Sequence, residues 1–348
     1  MRFFVSLFFL LTTFLGACWG GAWTGLTLFL FSVVVPAADA VTAPFLQTLM
    51  NVVYTRNLLQ DKFSWPVPFL WALLYPCVLA YCIKAVGSFS AMSFLSLSVS
   101  CGLSGSVGII AAHSLVHSKD RVSKWSGLVL LAAVHYMHFA ISHVWGHHNL
   151  VATRFDQNTA WKDEGFYSYF GRTVRGSFLA AVAIDLEKQR RLSSSWWLHS
   201  AQLNIFWFFL IQMSIVGSIS YTSGLRGVLF FYIQAFVAVL MLETVSYIQH
   251  YGCMRSESNV ASENTKGIDS YTPFEYHHSW DYGHPVSNSF FLNIQLHADH
   301  HGNARKPFYF LKPQQSANQL SMCYPLLILI AWFPFLWRFL FPSAVKNK

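Results

Sequence analysis

Residues 88–119 read SFSAMSFLSLSVSCGLSGSVGIIAAHSLVHSK, an apolar run that ends in two histidines four positions apart and then a lysine. The run to Ala112 exceeds the roughly 20 apolar residues that a bilayer-crossing helix needs. On a helix, His113 and His117 share one face, a turn apart, and reach toward a common point just past the apolar segment. The device recurs. All 15 histidines lie between His113 and His301, and three clusters (His113/His117, His143/His147/His148 and His297/His300/His301) hold eight of them. A lone histidine in an apolar segment is usually a satisfied core residue. Three claws of two or three imidazoles in one chain point instead to metal.

Imidazole binds zinc, copper, iron and nickel, so ligand type does not name the ion. Ligand number is more informative: a tetrahedral zinc is satisfied by about four ligands, and eight exceed the needs of any single ion. Two metals are the simplest reading. Carboxylate-bridged di-iron bundles use paired Glu-x-x-His motifs, and only Glu275/His278 has that spacing here. The six cysteines contain no C-x-x-C pair, so no rubredoxin, iron–sulfur or zinc-ribbon module is encoded. Without bridging carboxylates, two dications 4 Å apart repel by about 16 kcal/mol at an effective dielectric of 20. They are therefore expected further apart than the roughly 3.5–4 Å usual for two-metal sites.

The rest of the chain places these claws at a membrane. It is 54% hydrophobic, 17% aromatic and only 11% charged, with a mean hydropathy of +0.40, far from a soluble domain of this length. The net charge of +8 lies in loops beside apolar segments, which fits positive-inside topology better than nucleic-acid binding. Met1-Arg2 and the apolar run behind it resemble a signal peptide with Ala17 or Ala22 at the cleavage point. The run continues to Val35, however, which suits two short helices turning within residues 16–25, with one long span as the alternative. Hairpins are expected over about 3–36, 66–112 and 201–249, with a mixed linker from Asp39 to Ser64. The short turns between limbs carry just Lys84 and Arg226, whereas the opposite side receives Arg56, Lys62, Lys119, Arg121, Lys124 and the run from Arg154 to Arg191.

The expected architecture is an all-α integral membrane protein, a single domain of six transmembrane helices with a cytosolic histidine-rich cap over 113–200 and 250–348. Residues 125–141 are apolar enough to cross as well. If they did, His113/His117 and His143/His147/His148 would lie on opposite faces of the membrane, so the segment must be re-entrant or interfacial. Residues 322–341, with Arg338 and three prolines (Pro325, Pro334, Pro342), read as packed on the protein or its surface. Residues 252–270 read as a polar excursion.

Four stretches carry a further resemblance. They are His113-Ser114-Leu115-Val116-His117-Ser118-Lys119, Ser142-His143-Val144-Trp145-Gly146-His147-His148 with Val151-Ala152-Thr153, Gln249-His250-Tyr251-Gly252, and Ile294-Gln295-Leu296-His297-Ala298-Asp299-His300-His301. In order, they resemble the motifs of the integral-membrane alkane hydroxylases, relatives of xylene monooxygenase and of membrane fatty acid desaturases. The likeness covers most of the chain from about residue 100. It implies a cytosolic di-iron centre held by nine histidines, His250 being the ninth, with O2 as co-substrate. It also implies a lipophilic substrate taken from the bilayer and electrons from a separate rubredoxin-like or cytochrome b5-like donor with its reductase. The membrane would be the endoplasmic reticulum in a eukaryote and the inner membrane in a bacterium.

Three glutamates of the family pattern are replaced by Ser114, Ser142 and Gln249. Metal-bound histidines usually donate their second N–H to a carboxylate or carbonyl, so neutral replacements should weaken that support. Asp299 and Glu243 are candidates to compensate. His278 and His284, with His277, are either supporting partners or plain structural hydrogen-bonders, and His199 reads as an interfacial residue. Rival readings are a fatty acyl desaturase or hydroxylase, a sterol oxidase, a non-catalytic homologue and, from another class, a metal or haem carrier.

Overall fold

The computed structural model describes residues 1–46, 61–192, 204–257 and 271–341. Five helical stretches within them are long and apolar enough to cross a membrane: α1 (Arg2–Trp19), α2 (Gly21–Pro44), α3 (Lys62–Ser88), α4 (Ala91–Val116) and α7 (Asn204–His250). Between α4 and α7 lie α5 (Arg121–Ala133) and the amphipathic α6 (Phe166–Leu192). Four short helices follow: α8 (Pro285–Phe290), α9 (His297–Gly302), α10 (Tyr324–Ala331) and α11 (Pro334–Leu340).

The long stretches pair as hairpins. Gly20, with φ 66° and ψ −164°, separates α1 from α2, a conformation that glycine adopts without steric cost. Gly224 repeats it within α7, at φ 60° and ψ −164°. Gln212 and Gln234 would lie about 33 Å apart on a straight helix. Instead, Gln212 Oε1 accepts from Met137 N and Gln234 Nε2 donates to the Ala133 carbonyl, so both reach one short turn. The chain therefore doubles back at Gly224, and α7 is two limbs. Six membrane-length limbs in three hairpins result, around α4 as the most buried of the five stretches.

In lipid there is little hydrophobic drive between helices, and small residues with interhelical hydrogen bonds take over. Along α4, Cys101-Gly102-Leu103-Ser104-Gly105-Ser106-Val107-Gly108 is buried throughout. A side chain at Gly102 would strike the Gln234 carbonyl at 2.7 Å and Val237 at 2.5 Å. Thr13 bonds both Thr27 and Ser104, at 2.8 Å each, and Ser100 Oγ donates to the Thr24 carbonyl. Tyr75 donates to Gln234 Oε1 at 2.7 Å, which locks α3 to α7.

The apolar stretch 125–141 does not cross. Asp120 caps α5 by accepting the Ser123 N–H, and α5 is 13 residues, about 20 Å, against a core near 30 Å. Gly127 abuts Val116 and Ala112, while Val134 reaches Gly105, so α5 runs back along α4 only to its middle. His135, at φ 54°, ends the descent, and the chain returns through Ser142–His147 to the end of α4. The segment is re-entrant.

Two boundaries differ from the sequence reading. The first hairpin does not stop near residue 36, and Asp39 is not in a linker: α2 continues to Pro44. The buried Asp39 carboxylate accepts the Ser287 N–H at 2.9 Å and meets His284 Nδ1 at 2.6 Å, so contacts in the cap offset the cost of a charge there. Residues 47–60 of the linker, residues 258–270 of the polar excursion, and His199 lie outside the described residues, while the expected end of the linker, Lys62–Ser64, already belongs to α3. At the C-terminal end, α10 and α11 are 8 and 7 residues long, too short to cross. Leu327, Ile328 and Trp337 face the protein, whereas Phe335 and Phe339 are exposed. A parallel two-residue pairing of Trp280–Asp281 with Asn318–Gln319 closes the cap.

The close approach at Gly102 yields a test. Gly102→Val should separate α4 from α7 and lower stability by about 1–3 kcal/mol, read as a reduced thermal midpoint of the detergent-solubilised protein. An unchanged midpoint would mean that the contact is not needed.

Candidate metal centre

Helix geometry sorts the histidines into two groups, and not one group per claw. His113, His117, His143, His148 and His300 form a group of five, and His147, His250, His297 and His301 a group of four. Within each, the ligand-capable atoms all lie within 4.8 Å of one another. His113 lies in the last turn of α4, and His117 caps its end. Ser142–His147 is π-wound, and i→i+5 winding puts His143 and His148 on the same face. Their Nε2 atoms are 3.0 Å apart, while His147 turns to the other group. On α9, His297 and His301 meet at 3.0 Å, as i and i+4 should, and His300 points back to His148 at 3.1 Å. The expectation that each cluster converges on its own point is corrected: two of the three are shared.

The nitrogen contacts identify what such groups can hold. Each Nε2 has one in-plane position, filled by either a proton or a lone pair. His301 Nε2 nevertheless faces two others, His147 and His297, and His297 Nε2 also faces His250. His148 Nε2 likewise faces both His143 and His300. Hydrogen bonds cannot satisfy these atoms, whereas a cation accepting a lone pair from each can. Two metal–nitrogen bonds of about 2.1 Å at right angles put their nitrogens about 3.0 Å apart, close to the spacings seen. His113 Nε2 and His117 Nε2 are buried without a hydrogen-bond partner, again as ligands would be. The residues therefore fit two metal ions. Neither group contains a carboxylate.

Burial, then neighbouring imidazoles, holds His143, His148, His297, His300 and His301 well below the usual imidazole pKa of 6.5. Neutral imidazole is the form that binds metal.

The four supporting residues suggested by sequence lie near the site, but none is seen bonded to a grouped imidazole among the described residues. Asp299 is buried and accepts from Lys306 Nζ at 2.5 Å and Lys312 N at 2.8 Å, which fixes α9 to the following loop. Glu243 accepts from Tyr136 at 3.0 Å and Asn158 at 3.4 Å. His278 Nδ1 accepts the Glu275 N–H, and His284 joins Asp39. His277 sits beside Glu275 on the surface.

The carboxylate that does meet an imidazole is Asp156. Its Oδ2 lies 2.9 Å from His147 Nδ1 and accepts from Thr159, while Oδ1 accepts the Asn158 N–H. Burial pushes this carboxyl up, but the adjacent His147 outweighs it and the pKa falls below the ordinary value. Nothing in the spacing marked Asp156, because a loop closure brings it back to His147. Asp281 is a second residue missed: its Oδ1 accepts the Ala298 N–H at 2.8 Å and anchors the start of α9, and burial lifts its pKa to about 7.

The glutamate replacements have separate outcomes. Gln249 Nε2 donates to the Ile294 carbonyl and to Tyr324, which an ionised glutamate could not do. Ser142 is turned onto the His138 carbonyl. Nδ1 of His250, His297 and His301 is left buried with no protein partner.

Several cavities border the grouped histidines among the described residues. One is a narrow apolar cavity of about 60 Å³ among the membrane limbs, walled by Phe31, Ile109, Met241, Phe291 and Ile328 and bounded by His113, His143, His147 and His297. Another, with a larger polar share, meets His117 and His300 beside Arg305 and Lys306.

Two outcomes are expected. Asp156→Asn should weaken Fe(II) or Co(II) retention about 10–100-fold with helicity unchanged, measured by equilibrium dialysis and circular dichroism; equal retention would remove Asp156 from the site. The metal-free chain should lose stability as pH falls below about 6.5, because unfolded imidazoles take up protons that the buried ones refuse. Unfolding midpoints between pH 8 and 5 check this, and a flat profile would contradict the assigned burial.

Comparison with known proteins agrees with this construction. The fatty acid desaturase family profile matches residues 90–319. Alkane 1-monooxygenase 2 of Pseudomonas aeruginosa is 32% identical over 243 residues, 70% of this chain and 62% of the relative. Alkane 1-monooxygenase 1 of Alcanivorax borkumensis is 27% identical over 331 residues, 93% of this chain and 78% of the relative. The xylene/toluene monooxygenase hydroxylase component of Pseudomonas putida is 25% identical over 235 residues, 68% and 59% of the two chains. The matched part spans about three fifths of the Pseudomonas aeruginosa relatives. With two thirds of its length inside that profile and its histidines gathered into two metal-competent groups, the chain belongs to the fatty acid desaturase family.

Proposed function

We propose that this protein is a di-iron membrane monooxygenase that inserts one atom of O2 into a C–H bond, at the terminus, of an alkane or similar lipophilic chain. The observation that carries this reading is the apolar cavity ending on imidazoles of both groups. His113, His117, His143, His148 and His300 would hold one iron, and His147, His250, His297 and His301 the other. A pair of ferrous ions bound there would supply reduction of O2 and abstraction of hydrogen from an unactivated C–H bond.

The chain's own residues supply placement and exclusion of water. A second π-wound turn, Leu30–Val34, carries Phe31 into the cavity wall. Phe31 packs with Phe9 and Phe291, ring centroids 6.4 and 5.9 Å away, and Phe31 and Phe291 form part of the apolar wall against which a hydrocarbon chain would lie. The lining contains no Lys or Arg, which favours an uncharged chain over a free fatty acid. Acyl desaturation or hydroxylation is the second reading, favoured by the family profile itself.

Hydroxylation consumes RH, O2, two electrons and two protons and gives ROH and water. The electrons would come from a separate donor of rubredoxin or cytochrome b5 type with its reductase. Basic loops beside the metal end support a cytosolic orientation, which would be at the endoplasmic reticulum of a eukaryote or the inner membrane of a bacterium.

The test is to load the protein with Fe(II), reduce it chemically and expose it to 18O2 with alkanes and acyl chains in parallel. A labelled terminal alcohol is expected; an alkene product would transfer the assignment to the desaturases. His250→Ala should reduce iron from about two per chain toward about one, since a site cut from four ligands to three binds weakly. Unchanged iron content would remove His250 from the ligand set.

A further inference from the structure

We propose that Glu243 is the internal proton store of the reaction, giving one of the two protons that turnover consumes to the apolar cavity by way of Ser246 on its wall. The proposal rests on the monooxygenase reading, because the cavity in which oxygen would be consumed is lined by no Asp, Glu, Lys or Arg. Every imidazole on that wall belongs to the two metal-competent groups, and Tyr324, the one phenol there, is held in its protonated form by burial. An acid must therefore act from behind the wall.

Glu243 lies in the second limb of α7 on the way to His250 and is fully buried. An ionisable side chain within a membrane limb is costly, and one that is kept there marks a functional position. Glu243 forms no ion pair among the described residues. The titratable groups that face it, Tyr136, Tyr169 and Asp156, bring no positive charge. Burial without a cation disfavours the carboxylate strongly against the neutral acid, so Glu243 holds a proton at rest. Its Oε1 accepts from the Tyr136 hydroxyl at 3.0 Å. Asn158 Nδ2 stands 3.4 Å from Oε2, long for a hydrogen bond, which leaves Oε2 as the oxygen that bears the proton.

The path onward is short. Glu243 and Ser246 share one helix face, and Asn158 Nδ2 reaches both, 3.3 Å from Ser246 Oγ. Asn158 and Ser246 line the apolar cavity together with His147. Ser246 Oγ accepts from Asn158 and, at 2.9 Å, from Tyr169, while its own hydrogen meets no acceptor among the described residues and is available to the cavity. Tyr169 has an alternative acceptor, the Asn158 carbonyl at 3.2 Å. When it turns there, Ser246 Oγ takes the Glu243 proton and releases its own to the oxygen atom that leaves as water. Only a proton moves in this step, and the electrons reach oxygen separately. Glu243 is left as a carboxylate. Asn158 also borders a small cavity of about 20 Å³ with Ser142, Asp156 and Ser177, room for one water, through which a solvent proton restores the acid.

The test uses the full-length iron-loaded protein in neutral-lipid nanodiscs, reduced with dithionite and mixed with O2 and an alkane for a single turnover. E243Q keeps an acceptor for Tyr136 and the shape of the side chain but has no proton to transfer. It should form product about 100-fold more slowly, with iron content and helicity unchanged, and E243D should recover part of the rate. Infrared spectra of the metal-free protein at neutral pH should show a carboxylic-acid band that shifts in D2O and is missing from E243Q. S246A should slow product formation while leaving that band in place. An E243Q rate equal to that of the unsubstituted protein, or an ionised carboxylate at position 243 in the infrared spectrum, would overturn the proposal. Loss of iron or helicity in E243Q would do the same, by assigning Glu243 to holding Tyr136 in the re-entrant turn. If the unsubstituted protein makes no alcohol, the monooxygenase reading fails and the relay with it, whereas alcohol made equally fast by E243Q refutes the relay alone.

Discussion

An imidazole nitrogen can satisfy one in-plane partner, and three of these nitrogens each face two others. That conflict organises the cap. His148, His297 and His301 could escape it by moving apart, yet α4, the π-wound turn, the end of α7 and α9 hold them together. Cations at the two shared points would resolve the conflict, each lone pair finding the same acceptor. Folding of the cap and binding of metal would then be a linked equilibrium, with the membrane limbs as the frame that keeps the claws from spreading.

Much of this was legible in the residues. The run ending at His113 and His117 announced both a membrane helix and a ligand pair, and parity alone required 125–141 to turn back. Spacing also identified eight of the grouped histidines, while the ninth, His250, entered by resemblance. What spacing could not supply was partition. Whether His147 joins His143 or His297 depends on a π-turn, a change of winding that no hydrophobic period encodes. Asp156 and Asp281 were invisible for a related reason: each acts through a loop that returns to the site, and neither stands at a helical interval from a ligand.

The replaced glutamates illustrate how local chemistry adapts. Gln249 is not a weakened glutamate but a donor, and its amide ties α7 to the Ile294 carbonyl and to Tyr324 of α10. The support that ligating imidazoles ordinarily receive falls to Asp156 on one side and is missing at three Nδ1 atoms on the other. The group of four is therefore asymmetric, one imidazole anchored by a carboxylate and three by packing alone. Donor strength at a metal follows such contacts, so the four imidazoles of that group would not donate equally to a metal.

Asp39 gives the first hairpin a second role. Its carboxylate fastens the end of α2 to Ser287 and His284, ten to thirteen residues ahead of His297 on the same strand of the cap. A membrane helix adjusts its tilt when the surrounding bilayer thins or thickens. Through this rivet, a change in the tilt of α2 is carried to the segment that bears three of the grouped imidazoles.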